Sequence, residues 1–200
     1  LQMIEENIDV LDETALLRAA TLVKEDNKKV SLYKKAVEKF NSANGQYNLA
    51  VTYINMDKLA DAKKALENCE KDADWNNAMG VIALRENNLE EAAKFFAASG
   101  NATAKENAAV IYVLNGEYQA AAQNLAGVKS ANAALVQILL GNYAPAAELT
   151  CECPYAAYVR AIAAARQGDA EGVKKNLETA KKCEQLAARA EKDIEFVQYR

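Results

Sequence analysis

Two hundred residues, 51% of them hydrophobic, are enough for a real core and exclude a disordered chain. Eight glycines, two prolines and a hydrophobic share carried by Ala, Leu and Val favour long helices over a turn-rich β-sandwich. A net charge of -4 supplies no basic field for a nucleic acid backbone or an anionic membrane, and the lack of histidine removes the commonest general base and metal ligand.

The chain begins without a methionine, in LQMIEENIDVL, where Leu1, Ile4, Ile8 and Leu11 share one face of a helix. This stripe is expected to form a homodimer contact or to pack on the rest of a longer parent chain. No run reaches the roughly 18 to 20 apolar residues of a membrane-spanning helix, so direct membrane insertion is not expected. The expectation is a soluble chain, cytoplasmic or in the periplasm and cell envelope, any signal segment being absent from this stretch. Residues 13–40, ETALLRAATLVKEDNKKVSLYKKAVEKF, read as two helices joined near Asn27. With the preceding stripe they make a divergent N-terminal section, residues 1–43.

From residue 44 the chain repeats itself. NAAVIYVLNGEYQAAA, at 107–122, returns as NAALVQILLGNYAPAA at 132–147, with eight of sixteen positions identical and three more exchanging one aliphatic for another. Aligning on the turn gives five copies, centred on Asp57, Asn87, Gly116, Gly141 and Gly168, at spacings of 30, 29, 25 and 27 residues. Gly, Asn and Asp tolerate the left-handed backbone that ends a helix. Seven residues before the turns stand Ala50, Gly80, Ala109, Ala134 and Ala161, and five after stand Ala62, Ala92, Ala121, Ala146 and Val173. Small residues on both sides of a turn let two antiparallel helices approach to the usual ~8 to 10 Å. Each copy is therefore a helical hairpin, and hairpins repeated at this period stack.

The second helix after Gly116 has space for about two turns only, so the array is expected to be irregular over residues 119–157. Pro145 suits the first turn of its helix. The last stretch, KKCEQLAARAEKDIEFVQYR, places Cys183, Leu186, Ala190, Ile194 and Val197 on one face, as a capping helix over residues 183–200 requires. The fold expected is all-α, an α-solenoid (superhelix) of about six antiparallel helical hairpins with a C-terminal capping helix.

The repeat over residues 44–182 resembles the tetratricopeptide repeat (TPR) family. The likeness rests on the small residue of the first helix, the apolar residue after the turn (Leu59, Leu89, Tyr118, Tyr143), the alanine of the second helix, and a large apolar residue four later (Leu66, Phe96, Leu125, Leu177). It departs from the family in unit length and in its single tryptophan, Trp75. What the resemblance implies is a non-enzymatic module, without cofactor or metal, that binds a peptide or protein segment in a concave groove lined by the first helices. The positions matching that groove are Tyr47, Asn48, Ile54, Asn77, Val81, Arg85, Asn107, Val110, Val113, Asn132, Leu135, Ile138, Tyr158, Ile162 and Arg166. Amides at matching places, Asn48, Asn107 and Asn132, suit an extended peptide backbone because each can donate and accept.

A rival expectation is a structural or oligomerising segment of a larger, bacterial cell-envelope protein, assembled through the N-terminal stripe. The four cysteines lack paired CxxC spacing and read by default as small buried hydrophobes. Cys151-Glu-Cys153 is the one place for redox or soft-metal chemistry, as a third expectation.

Overall fold

The computed structural model describes residues 8–199, and every regular element among them is helical. The chain divides into two compact units, Leu1–Ala104 and Lys105–Arg200.

In the first unit three hairpins follow one another: α1 (Glu13–Leu22) with α2 (Asp26–Phe40), α3 (Ala43–Asn55) with α4 (Leu59–Leu66), and α5 (Ala73–Arg85) with α6 (Leu89–Ser99). Helix starts are written locally. Asp12, Ser42, Asp72 and Asn88 each accept a backbone N–H three residues on, satisfying a donor that the first turn would leave unpaired. The break between α1 and α2 falls at Val23–Glu25, slightly earlier than the expected joint at Asn27, and α2 ends at Asn41 in the left-handed conformation. Leu16, Leu32, Tyr33, Tyr53, Leu66 and Ile82 form the core. Ile8 and Leu11 lie in a turn and a coil rather than in a helix, and both pack on this core; Leu1 and Ile4 are outside the described residues.

The remaining helices are α7 (Ala102–Leu114), whose first turn contains the unit boundary, α8 (Tyr118–Asn124), α9 (Ala131–Leu139), α10 (Ala144–Ala147), α11 (Pro154–Gln167), α12 (Ala170–Ala180) and α13 (Glu184–Ala190). A 3₁₀ segment, Ile194–Tyr199, completes the cap. The shortness expected after Gly116 is present: α8 has seven residues and α10 four. Pro145 and Pro154 both stand at helix starts, where their missing N–H costs nothing. Within the second unit, Ala109, Ala121, Leu125 and Val136 form one apolar cluster, and a larger one gathers Ile138, Tyr158, Val159, Val173 and Phe196.

The cap departs from a single helix. The chain turns at Glu191–Asp193, so the stripe from Cys183 to Val197 is broken: Ile194 and Val197 are exposed by 83% and 57%, and Phe196 takes the buried place instead. Its ring meets Tyr158 edge-on at 5.5 Å, and the Tyr158 hydroxyl donates to Asp193 at 2.6 Å.

The five turns are alike in detail. Asp57, Asn87, Gly116, Gly141 and Gly168 all have positive φ, between 58° and 81°. The next residue's N–H closes back on a carbonyl five residues earlier: Lys58 on Tyr53, Asn88 on Ala83, Glu117 on Tyr112, Asn142 on Gln137 and Asp169 on Ala164, at 2.8–2.9 Å. That is the Schellman bond, which satisfies carbonyls the helix end leaves open. The small crossing residues are buried throughout, from Ala50 and Ala62 in the first unit to Ala161 and Val173 in the second. Gly80 shows why they must be small: a β-carbon there would lie 2.5 Å from the buried Phe96 ring.

Candidate functional site

The residues expected on the binding face sort into three groups by environment. Ile54, Ile138, Tyr158 and Ile162 are at most 6% exposed and belong to the cores. Arg85 and Arg166 reach the surface but are engaged with the neighbouring hairpin. The remainder, Tyr47, Asn48, Asn77, Val81, Asn107, Val110, Val113, Asn132 and Leu135, are half-buried or exposed on first helices.

The two arginines do the same work in their separate units. Arg85 Nη1 donates to the Ile54 carbonyl at 2.6 Å, and Arg166 Nη1 donates to the Ile138 carbonyl at 3.2 Å. Each acceptor is at the C-terminal end of the preceding first helix, where the dipole is negative and a guanidinium is stabilising. Asp57 adds a carboxylate to the first site at 3.4 Å. Glu195 from the C-terminal cap contacts the second, and its hydrogen bond holds Arg166 firmly protonated. These side chains tie hairpin to hairpin. The signal was in the sequence, since both stand two residues before a turn residue.

In the first unit, Tyr47 on α3 donates its hydroxyl to the Asp74 carbonyl on α5 at 3.4 Å, and burial pushes its phenol up from the ordinary value. Asn48 is half-buried beside it, and Val81 packs on the edge of the core. Trp75, at the start of α5, donates to the Leu66 carbonyl at 3.0 Å and meets Phe95 edge-on, so it serves the hairpin junction.

In the second unit one asparagine laces three first helices together. Asn132 Nδ2 on α9 donates to Glu106 Oε2 on α7 at 2.7 Å, and Tyr155 on α11 donates its hydroxyl to Asn132 Oδ1 at 2.9 Å. The amide thus fixes the register of the unit's own helices, an arrangement that Glu106 and Tyr155, far apart in the chain, do not announce. Beside it α7 carries Asn107, Val110 and Leu114 at helical spacing i, i+3 and i+7, which places them on one face. Val110 is 42% and Leu114 64% exposed, with Tyr118 just past the turn at 36%. Leu114 and Tyr118 were not among the expected groove positions, although the step of four from Val110 points to Leu114.

A separate cleft of about 420 Å³ opens in the second unit where the second helices are short. Leu125, Val128, Ala134 and Leu149 line it, with Lys129, Gln137 and Glu148 among the polar residues.

The cysteines differ from the buried default. Cys69 and Cys183 are half-buried, whereas Cys151 and Cys153 are exposed in the segment leading into α11. Among the described residues no group of three or more His, Cys, Asp or Glu side chains could hold a metal ion, and no helix is long and apolar enough to cross a membrane.

The chain matches no protein-family model, and no curated protein matches it. Among solved structures it is similar to one described as "Crystal structure of YrrB: a TPR protein with an unusual peptide-binding site". The identity is 18%, the TM-score 0.46, and the match covers 96% of this chain and 97% of that one. So distant a likeness decides no function. The TPR-like character of the hairpins is carried by this chain's own five matched turns and crossings.

Proposed function

We propose that this chain is a non-enzymatic protein-interaction scaffold, and that it holds a peptide or protein segment along the exposed faces of its first helices. The observation that carries the reading is the stripe on α7, where Val110 and Leu114 are two large apolar side chains left open to water one turn apart. An exposed apolar row offers burial for the side chains of a bound segment. Tyr47, Asn48 and Val81 give the first unit a smaller surface of similar chemistry. A scaffold also suits a chain with no histidine and with Arg85 and Arg166 engaged in structural ties.

The test is selection of binding peptides from a random library on the wild-type chain, followed by titration of the winners. The expected result is at least a tenfold weaker Kd for Val110→Glu/Leu114→Glu, with helical circular dichroism unchanged. Equal affinity in wild type and variant removes the α7 face from the proposal.

A further inference from the structure

The dipeptide Asn-Gly occurs twice, as Asn44-Gly45 and Asn115-Gly116, and the fold treats the two copies differently. In this dipeptide the asparagine side chain is open to attack by the next backbone nitrogen, because glycine puts no β-carbon beside that nitrogen. Asn44 and Gly45 stand in the first turn of α3. Gly45 is buried, and its N–H donates to Ser42 Oγ at 2.9 Å, with Ser42 only 3% exposed. A β-carbon at Gly45 would lie 3.0 Å from Ser42 and 3.3 Å from Ala36, so the peptide is packed on that side.

Asn115 and Gly116 are outside regular helix, in the turn between α7 and α8, and both are exposed. Gly116 has φ 77° and no atom within 4 Å of the place a β-carbon would take. Its N–H donates to the Val113 carbonyl at 3.0 Å, a bond at the end of α7 rather than in its body. The Asn115 amide is directed along the chain, Nδ2 donating to Glu117 Oε1 at 3.3 Å. Opening one exposed helix-end bond is a local event, whereas freeing the Gly45 nitrogen requires the first turn of α3 and its buried cap to melt.

We propose that Asn115-Gly116 is a self-modifying site, at which Asn115 deamidates to aspartate and isoaspartate and so loosens the end turn of α7, while the fold keeps Asn44 intact.

The chemistry needs only water and hydroxide. Once the turn opens, the Gly116 nitrogen loses its proton to hydroxide and attacks Asn115 Cγ. The N–Cγ bond forms, the Cγ–Nδ2 bond breaks, and Nδ2 leaves as ammonia with a proton from water. The product is a five-membered succinimide. Water then adds at one of its two carbonyls: cleavage of the Cγ–N bond gives aspartate, and cleavage of the bond between the Asn115 carbonyl carbon and N gives isoaspartate, with the chain running through Cγ. One water is taken up, one ammonia is released, and nothing is oxidised or reduced.

Either product puts a carboxylate at the C-terminal end of α7, where the helix dipole is already negative, and sets it against Glu117 in place of a donor. Isoaspartate also lengthens the backbone inside the loop that the Glu117 N–H closes on the Tyr112 carbonyl at 2.8 Å. Leu114 and Tyr118 flank this turn, so the conversion bears on the α7 face assigned above; the modification itself does not depend on that assignment.

The experiment incubates the full chain at mildly alkaline pH, folded and, in parallel, unfolded in guanidinium chloride. Proteolytic peptides are read by mass spectrometry with electron-transfer fragmentation, which separates aspartate from isoaspartate. The two sites are expected to convert at comparable rates in the unfolded chain. In the folded chain Asn115 is expected to convert at least about tenfold faster than Asn44, the difference between a helix end and a buried first turn. Asn115→Gln, whose ring closure would need a six-membered imide, stays unmodified and sets the baseline for hydrogen exchange at Glu117, which is faster in the converted chain. Equal conversion of the two sites in the folded chain, faster conversion of Asn44, or an intact Asn115 after the unfolded chain has converted overturns the proposal. Glu117 exchange unchanged by conversion overturns the loosened turn.

Discussion

Hairpins α5/α6 and α9/α10 are built on the same turn and differ in almost everything after it. Both turns close with the Schellman bond, Asn88 to Ala83 and Asn142 to Gln137, and both crossings are buried pairs of small residues, Gly80 with Ala92 and Ala134 with Ala146. Yet α6 runs for eleven residues and buries Phe96, while α10 stops after four. The position corresponding to Phe96, nine past the turn, is Thr150, which is exposed and outside any helix. The turn and the crossing therefore define a hairpin, and the second helix beyond them is an independent variable. Where it is short, the first helices are laced by Asn132, and the cleft of about 420 Å³ remains.

The sharpest way to break this comparison is to truncate the two matched positions. Phe96→Ala is expected to destabilise by about 3 to 5 kcal/mol, as loss of a fully buried ring does, whereas Thr150→Ala is expected to stay within about 0.5 kcal/mol. Urea unfolding of both variants measures the difference. Gly80→Ala comes next: the added methyl meets a buried ring rather than a flexible chain end, so overpacking of about 1 to 3 kcal/mol is expected.

The ties between hairpins give a smaller effect. Arg166→Met removes charge-assisted bonds to the Ile138 carbonyl and to Glu195, with an expected loss of about 1 to 2 kcal/mol. Arg85→Met, at the more exposed site facing Asp57, is expected to lose less, and the order of the two denaturation midpoints checks the ranking. Smallest is Asn87→Gly. It relieves a non-glycine residue of φ 61° and is expected to stabilise by a few tenths of a kcal/mol, visible as a slightly raised Tm.

The turns and crossings were legible in the sequence because they depend on residue types that few other structures demand in that order. All five turn residues adopt the left-handed backbone they were suited for. What was not legible depends on tertiary packing. The cap reads as one amphipathic stripe, but the turn at Glu191–Asp193 shifts the register so that Phe196, not Val197, is buried. Periodicity likewise could not separate a first-helix residue that faces the core from one that faces water. Ile138 and Val110 stand on matching first helices and read alike, yet Ile138 is fully buried and Val110 is 42% exposed. Asn132 offered an amide for a peptide, and Glu106 and Tyr155 occupy it.

The most direct test of the scaffold reading is hydrogen exchange of the chain with and without a selected peptide at saturating concentration. Binding along first helices predicts slowed exchange on α7 and α9, or on α3 and α5, with α8, α10 and the cleft around Leu125 unchanged. Protection confined to α8, α10 and that cleft, or no protection anywhere while the peptide is bound, would contradict it.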